Sequence, residues 1–207
     1  MNPIKPLTNP IKLYSREEVL STASPVSAER GLYAWYFKKP PGITPTTGCV
    51  TKDNFTLLYV GISPRNNTSQ QNLRKRVTYH FRGNAEGSTL RQTLGVLLAG
   101  ESDYPLRRVG SGKRMTFTHL GESWLDDWMG KNAFVCWVEH PAPWEVENGV
   151  IESVSLPLNI QGNRHHPFSS ILSDMRKEAK RTARETPIAR ENNQQRRIRR
   201  ALPNDSL

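Results

Sequence analysis

Apolar residues along the chain fall into short runs separated by polar stretches rich in proline and glycine, the pattern of a small mixed α/β protein. Gly31-Leu-Tyr-Ala-Trp-Tyr-Phe37 is an unbroken aromatic-rich run that predicts a strand, as does Thr56-Leu-Leu-Tyr-Val60 before Gly61. Ala133-Phe-Val-Cys-Trp-Val138 predicts a third. Helical spacing lies between them. Leu73, Val77 and Phe81 share one stripe of a helix that Asn72 caps and Gly83 closes. Leu90, Leu94, Leu97 and Leu98 line a second, capped by Ser88 and stopped by Gly100. Pro143 stands where an initiating proline belongs, opening a helix from Trp144 to about Ser155 that Pro157 ends. The order strand, loop, strand, helix, helix, strand, helix predicts an α/β (α+β) fold: a small three-stranded antiparallel sheet flanked by helices.

Around this core, residues 1–28 form an N-terminal arm. Pro3, Pro6, Pro10 and Pro25 favour an extended path there, and Ser15-Arg16-Glu17-Glu18 is a capping box for one short helix. The domain proper spans 29–170, with insertions at 38–55 and 101–131. The first holds Pro40, Pro41, Gly42, Pro45 and Gly48 and exceeds an ordinary hairpin connection. The second contains a basic stretch from Leu106 to Met115, then a short amphipathic segment with Trp124, Leu125, Trp128 and Met129. Residues 171–207 form a basic C-terminal extension, helical in propensity. Its last part, Gln194 to Arg200, has too little apolar content to pack and stays solvated until something anionic arrives.

Length and charge narrow the picture. A chain of 207 residues supports one compact domain with arms, and five Trp, six Tyr and six Phe can anchor its core despite a mean hydropathy of −0.63. The net charge of +10 favours encounter with polyanions, nucleic acid first among them. Only two cysteines, Cys49 and Cys136, argue against a disulfide framework and for a reducing, cytoplasmic setting. No apolar run approaches a membrane span, and the N-terminal stretch has no signal-like apolar region.

The candidate chemistry sits on the core elements. Gly31-Leu32-Tyr33 and Tyr59-Val60-Gly61 end or open predicted strands. Arg76 and His80 are four apart on one helix face, beside the apolar stripe. Glu147 precedes Val150, Ile151 and Val154 by three, four and seven residues, so its carboxylate emerges at the edge of a buried face and calls for a partner or a cation. Asn159 follows it by twelve residues. The adjacent His165 and His166 lack metal-ligand spacing and read as surface or phosphate contacts, not as a zinc site.

Together these residues, in this order from Gly31 to Asn159, resemble the GIY-YIG nucleases, the restriction-endonuclease members most of all. The two tripeptides match with one apolar substitution each, the Arg-x-x-x-His helix follows the second, and the closing stretch carries an acid, an Asn, an aliphatic pair, a proline and a final Asn. Pro157 stands two residues before Asn159, where the family has three, and Gly149 weakens the helix.

The resemblance implies a metal-dependent DNA endonuclease. Glu147 would hold magnesium, and Arg76 would bear on the charge at phosphorus. Tyr33 would act as general base or position the attacking water, with His80 as proton acceptor. Tyr59 would orient water or phosphate, and Asn159 would serve either the chemistry or the attachment of the last helix. Arg107, Arg108, Lys113 and Arg114 are candidate nucleic-acid contacts, double-stranded DNA is the first partner, and a homodimer suits a palindromic site. A restriction or defence enzyme leads; a structure-specific repair or recombination nuclease and a non-cutting nucleic-acid-binding protein are the alternatives, with RNA also open as substrate.

Overall fold

A computed structural model describes residues 3–191. Three strands form where the apolar runs predict them: β1 (Gly31–Phe37), β3 (Phe55–Ser63) and β6 (Ala133–Glu139). The sheet has a fourth strand, which corrects the three-stranded expectation: β2 (Thr51–Lys52) pairs with Phe55 and Thr56, giving the order β2-β3-β1-β6, antiparallel throughout. β2 arises inside the 38–55 insertion because Asp53 and Asn54 take positive φ of 48° and 67°, the two-residue turn that matches strand twist. At two residues it carries no period for a sequence to reveal.

β1 is central and buried along its whole length, which explains its unbroken apolar run. Its alternate residues feed two cores. Tyr33, Trp35 and Phe37 face α3 (Leu73–Arg82), α4 (Thr89–Leu97), α6 (Thr118–Asn132) and α8 (Pro167–Glu185), contributing to one cluster with Leu73, Phe81, Leu94, Leu125 and Leu172. Leu32, Ala34 and Tyr36 face the other way, with Val150 and Ile151 of α7 (Pro143–Ser153) and Leu7 of α1 (Ile4–Thr8). The sheet is thus a middle layer between helices.

The N-terminal segment is built into this arrangement. The Ser15 capping box forms and opens α2 (Arg16–Leu20). Tyr14 bridges to Val135 of β6, and Tyr36 Oη donates to the Leu7 carbonyl at 2.7 Å. The carbonyls of Ser27 and Glu29 accept from the first-turn N–H groups of Arg74 and Leu73, so the chain leading from the arm into β1 seats the start of α3.

Asn72 and Ser88 cap α3 and α4 as the sequence predicts. Gly100 is not the stop: α4 ends at Leu97 with Leu98 as its cap, and the one-turn α5 (Ala99–Ser102) follows before Asp103 turns left-handed. The basic stretch after Leu106 folds as a hairpin of β4 (Arg107–Val109) and β5 (Arg114–Thr116). α6 runs fifteen residues, longer than the short segment its apolar pattern suggests. The reason lies at Arg91, fully buried in α4, which pairs with Glu122 at 2.7 Å and Asp126 at 2.6 Å. Two acidic residues of α6 therefore turn inward and interrupt its apolar stripe.

The basic extension expected from residue 171 falls partly in the amphipathic α8, which already starts at Pro167 and buries Phe168, Leu172 and Ala183. The expected solvated run from Gln194 to Arg200 lies outside the described residues. No described helix is long and apolar enough to cross a membrane.

Candidate active site

Gly31 and Gly61 earn their place by crowding. A Cβ on Gly31 would lie 2.1 Å from the Val138 carbonyl oxygen, and one on Gly61 would lie 2.5 Å from the Tyr33 hydroxyl. Tyr33 is registered opposite Gly61, so its ring lies across the neighbouring strand where any larger residue would displace it. Tyr59, two residues before Gly61, shares that face of β3.

α3 brings its polar pair onto this face. Tyr33 Oη and His80 Nε2 are 2.9 Å apart, and His80 Nδ1 lies 2.7 Å from Ser88 Oγ. Arg76 Nε approaches the Tyr33 hydroxyl at 3.5 Å, and its Nη1 donates to the Gly87 carbonyl at 3.0 Å. Phenol, imidazole and serine hydroxyl thus form a continuous chain, buried at His80 (0% exposed) and open toward Arg76. When Nδ1 carries the ring proton and donates to Ser88, Nε2 is left to accept from the Tyr33 hydroxyl.

Burial, with the charges of Arg76, Arg91 and Arg65 adding to it, holds the His80 imidazole well below its ordinary pKa, so at neutral pH it is an uncharged base. Burial raises Tyr33 above the usual phenol value, and Arg76 opposes that rise. Tyr33 is therefore a neutral phenol, and the cations around it do not suffice to ionise it. Burial raises Tyr59 as well, and its hydroxyl takes no hydrogen-bond partner among the described residues.

Glu147 on α7 joins the cluster electrostatically: its charge bears on both Tyr33 and Tyr59. The carboxylate is half-buried and makes no hydrogen bond or ion pair among the described residues. Burial raises its pKa, and Arg65 partly offsets the rise. Such a group suits a divalent cation. No three His, Cys, Asp or Glu converge among the described residues, so this carboxylate would be one protein ligand among waters and substrate oxygens.

Asn159 acts on the backbone. Its Oδ1 accepts from Val60 N–H at 2.9 Å and its Nδ2 donates to the Val60 carbonyl at 2.8 Å, while Leu158 N–H donates to the Leu58 carbonyl at 3.0 Å. The segment after α7 thus closes the edge of β3 beyond β2, between Tyr59 and Gly61.

Arg107 and Arg108 point elsewhere than their charge suggests. Arg107 donates to the Pro187 carbonyl at 2.9 Å, and Arg108 to those of Ala183 at 3.1 Å and Thr186 at 3.0 Å, an arrangement that caps the end of α8. Lys113 and Arg114 are exposed at the hairpin tip. His166 caps the start of α8.

Three contributors escape sequence reasoning. Arg65 acts on Tyr33, Tyr59, His80 and Glu147 together, but a cation in an aperiodic loop gives no signal. Ser88 is legible as a cap, not as the partner of His80. Arg91 donates to the His80 and Phe81 carbonyls at 3.2 and 3.4 Å and so fixes the end of α3; the acids it pairs with are visible only once α6 is folded. A cleft of about 790 Å³ adjoins the cluster, lined by Arg65, Lys75, Arg76, Tyr79 and Glu86 among others.

The Tyr33 phenol of β1 meets an imidazole and an arginine from α3 beside a cleft lined by Arg65, Lys75 and Arg76, while the Glu147 carboxylate of α7 bears on both tyrosines, an arrangement suited to chemistry on an anionic substrate. The model of the GIY-YIG catalytic domain matches residues 31–178, more than two thirds of the chain, from the first residue of β1 into α8. The chain belongs to the GIY-YIG nuclease family. Comparison with curated proteins and with solved structures gave no match.

Proposed function

We propose that this protein is a magnesium-dependent endonuclease that hydrolyses phosphodiester bonds in double-stranded DNA, acting in restriction or defence. The observation that carries the reading is the unbroken Tyr33–His80–Ser88 hydrogen-bond chain beside Arg76. It supplies a buried proton acceptor next to a guanidinium whose Nη2 makes no hydrogen bond among the described residues, with Glu147 close enough to influence both tyrosines.

Hydrolysis needs a water oxygen to bond to phosphorus as the P–O3′ bond breaks, with one proton leaving the water for the Tyr33–His80 chain and one reaching the 3′-oxygen from solvent. Tyr33 holds the water through its hydroxyl and passes a proton to His80 Nε2, which is neutral and so able to take it. That hand-over avoids any need for a pre-ionised phenol, which burial opposes. Arg76, fixed by the Gly87 carbonyl, meets the charge that develops on the equatorial oxygens. A divalent cation on Glu147 would neutralise phosphate charge and reverse the carboxylate's repulsion of negative charge on Tyr33. Asn159 serves as a positioning residue by holding the Tyr59–Gly61 segment.

The test is incubation of supercoiled plasmid with purified protein in magnesium or in EDTA, followed by end mapping. Magnesium-dependent cutting at discrete sites supports a restriction-type enzyme. Cutting confined to branched substrates replaces it with a repair nuclease, and binding without cutting of any DNA or RNA overturns the enzyme reading.

A further inference from the structure

α8 carries five lysines and arginines, and the fold divides them into two sets. Lys177 pairs with Asp174 at 2.9 Å, and Arg181 pairs with Glu178 at 2.6 Å and Glu185 at 2.7 Å, on the exposed side. Arg176, Lys180 and Arg184 stand four residues apart along one side of the helix, and none makes an ion pair among the described residues. Like charges at that spacing repel and weaken a helix, and among the described residues no ion pair offsets that cost. Burial and the charges of Arg176 and Arg184 pull the Lys180 ammonium below its ordinary pKa; the acid that opposes them, Glu86, is held by the Met115 N–H.

The stripe starts at the catalytic cluster. Arg176 is half-buried, fixed by a 2.7 Å hydrogen bond to Gln92 Oε1, and its charge interacts with Tyr59. Lys180 interacts with Glu86, which lines the cleft together with Arg65 and Arg76. From there the row leads along α8 to Arg184, about 12 Å over eight residues. That length matches about three to four phosphates at a rise of about 3.4 Å per strand.

We infer that Arg176, Lys180 and Arg184 form a track that binds the sugar–phosphate backbone of double-stranded DNA flanking the cut. The inference rests on the nuclease reading and adds a surface to it. Phosphate contacts fix orientation and carry no base information, so the track acts on all sequences alike and sets where the duplex lies, while recognition comes from other parts of the protein.

The test is fluorescence anisotropy on a short mixed-sequence DNA duplex, in a Glu147→Gln background without divalent ions, across about 50–200 mM potassium chloride. Lys180→Gln with Arg184→Gln is expected to weaken binding and to flatten the slope of log K against log salt by about 1.8, or about 0.9 for each phosphate that the protein no longer neutralises. Lys177→Gln with Arg181→Gln removes the same formal charge from the self-paired set and is expected to leave the slope unchanged. Equal slope changes in both double variants, or none in the first, would overturn the track. Plasmid cleavage by the protein with Glu147 intact, run in parallel, separates the two claims: cutting with no dependence on the stripe sinks the track alone, and stripe-dependent binding with no cutting sinks the nuclease reading alone.

Discussion

Replacing Asn159 by alanine removes two hydrogen bonds at once, at 2.9 and 2.8 Å, and leaves both the N–H and the carbonyl of Val60 without their partner. Val60 is buried, and neither group turns toward β1, because both meet Asn159 at the opposite edge of β3. A buried backbone group stripped of its partner costs about 1–3 kcal/mol, so two give roughly 2–6 kcal/mol, centred near ~4. For a chain of this size about 2–4 °C accompanies each kcal/mol, which places the fall in unfolding midpoint at roughly 8–16 °C. Thermal and urea unfolding followed by circular dichroism would measure it. Asn159→Asp keeps an acceptor for the N–H but sets an oxygen against the carbonyl, so it should retain only part of the stability. If Asn159→Ala unfolds within about 0.5 kcal/mol of wild type while DNA cleavage is abolished, Asn159 acts on substrate and not on β3.

Three further outcomes follow from the electrostatics. Burial raises the pKa of Glu147, so the ionised form is penalised in the folded state: stability falls as pH rises from the unfolded value near ~4.3 through the folded one. Glu147→Gln removes that loss, and without divalent ions it should be more stable than wild type near neutral pH yet equal to it in acid; parallel pH profiles of unfolding would refute this. The depressed pKa of His80 acts oppositely, lowering stability as pH falls below about 6.5, and it cancels in that comparison because both proteins contain it. Arg91→Leu removes the buried cation that pairs with Glu122 and Asp126 and should cost about 3–5 kcal/mol in urea unfolding; a loss below about 1 kcal/mol would show that α6 does not depend on Arg91. Arg65→Ala, at an exposed residue without an ion pair among the described residues, should leave stability within about 0.5 kcal/mol yet slow DNA cleavage, and an unchanged rate would remove Arg65 from the site.

What the sequence reveals follows from which forces act locally. β1, β3, β6, α3, α4 and α7 are legible because each is framed by an apolar period and, for the helices, by Asn72, Ser88 or Pro143 at the first turn. α6 is read too short because Glu122 and Asp126 face inward to Arg91, an interaction across some thirty residues that no local period contains. Two residues of β2 exist only through the turn at Asp53 and Asn54. Tyr33, Tyr59, Arg76, His80, Glu147 and Asn159 can be singled out by spacing and resemblance. That Tyr33 meets His80 is a product of the fold, as is the capture of Arg107 and Arg108 by carbonyls near the end of α8. Charge in a sequence counts cations; it does not say which of them the protein itself has already bound.

In the proposed reaction Tyr33, Arg76 and Glu147 act at one reacting phosphate. Single-turnover cleavage of one DNA duplex in magnesium by wild type, Tyr33→Phe, Arg76→Ala and Glu147→Gln, each first shown to be folded, tests it most directly. Metal-dependent cutting by wild type is expected, with a rate lower by roughly 100-fold or more in each variant, the scale seen when a group that moves a proton or stabilises transition-state charge is removed. Cutting at the wild-type rate by any two of the three folded variants would contradict it.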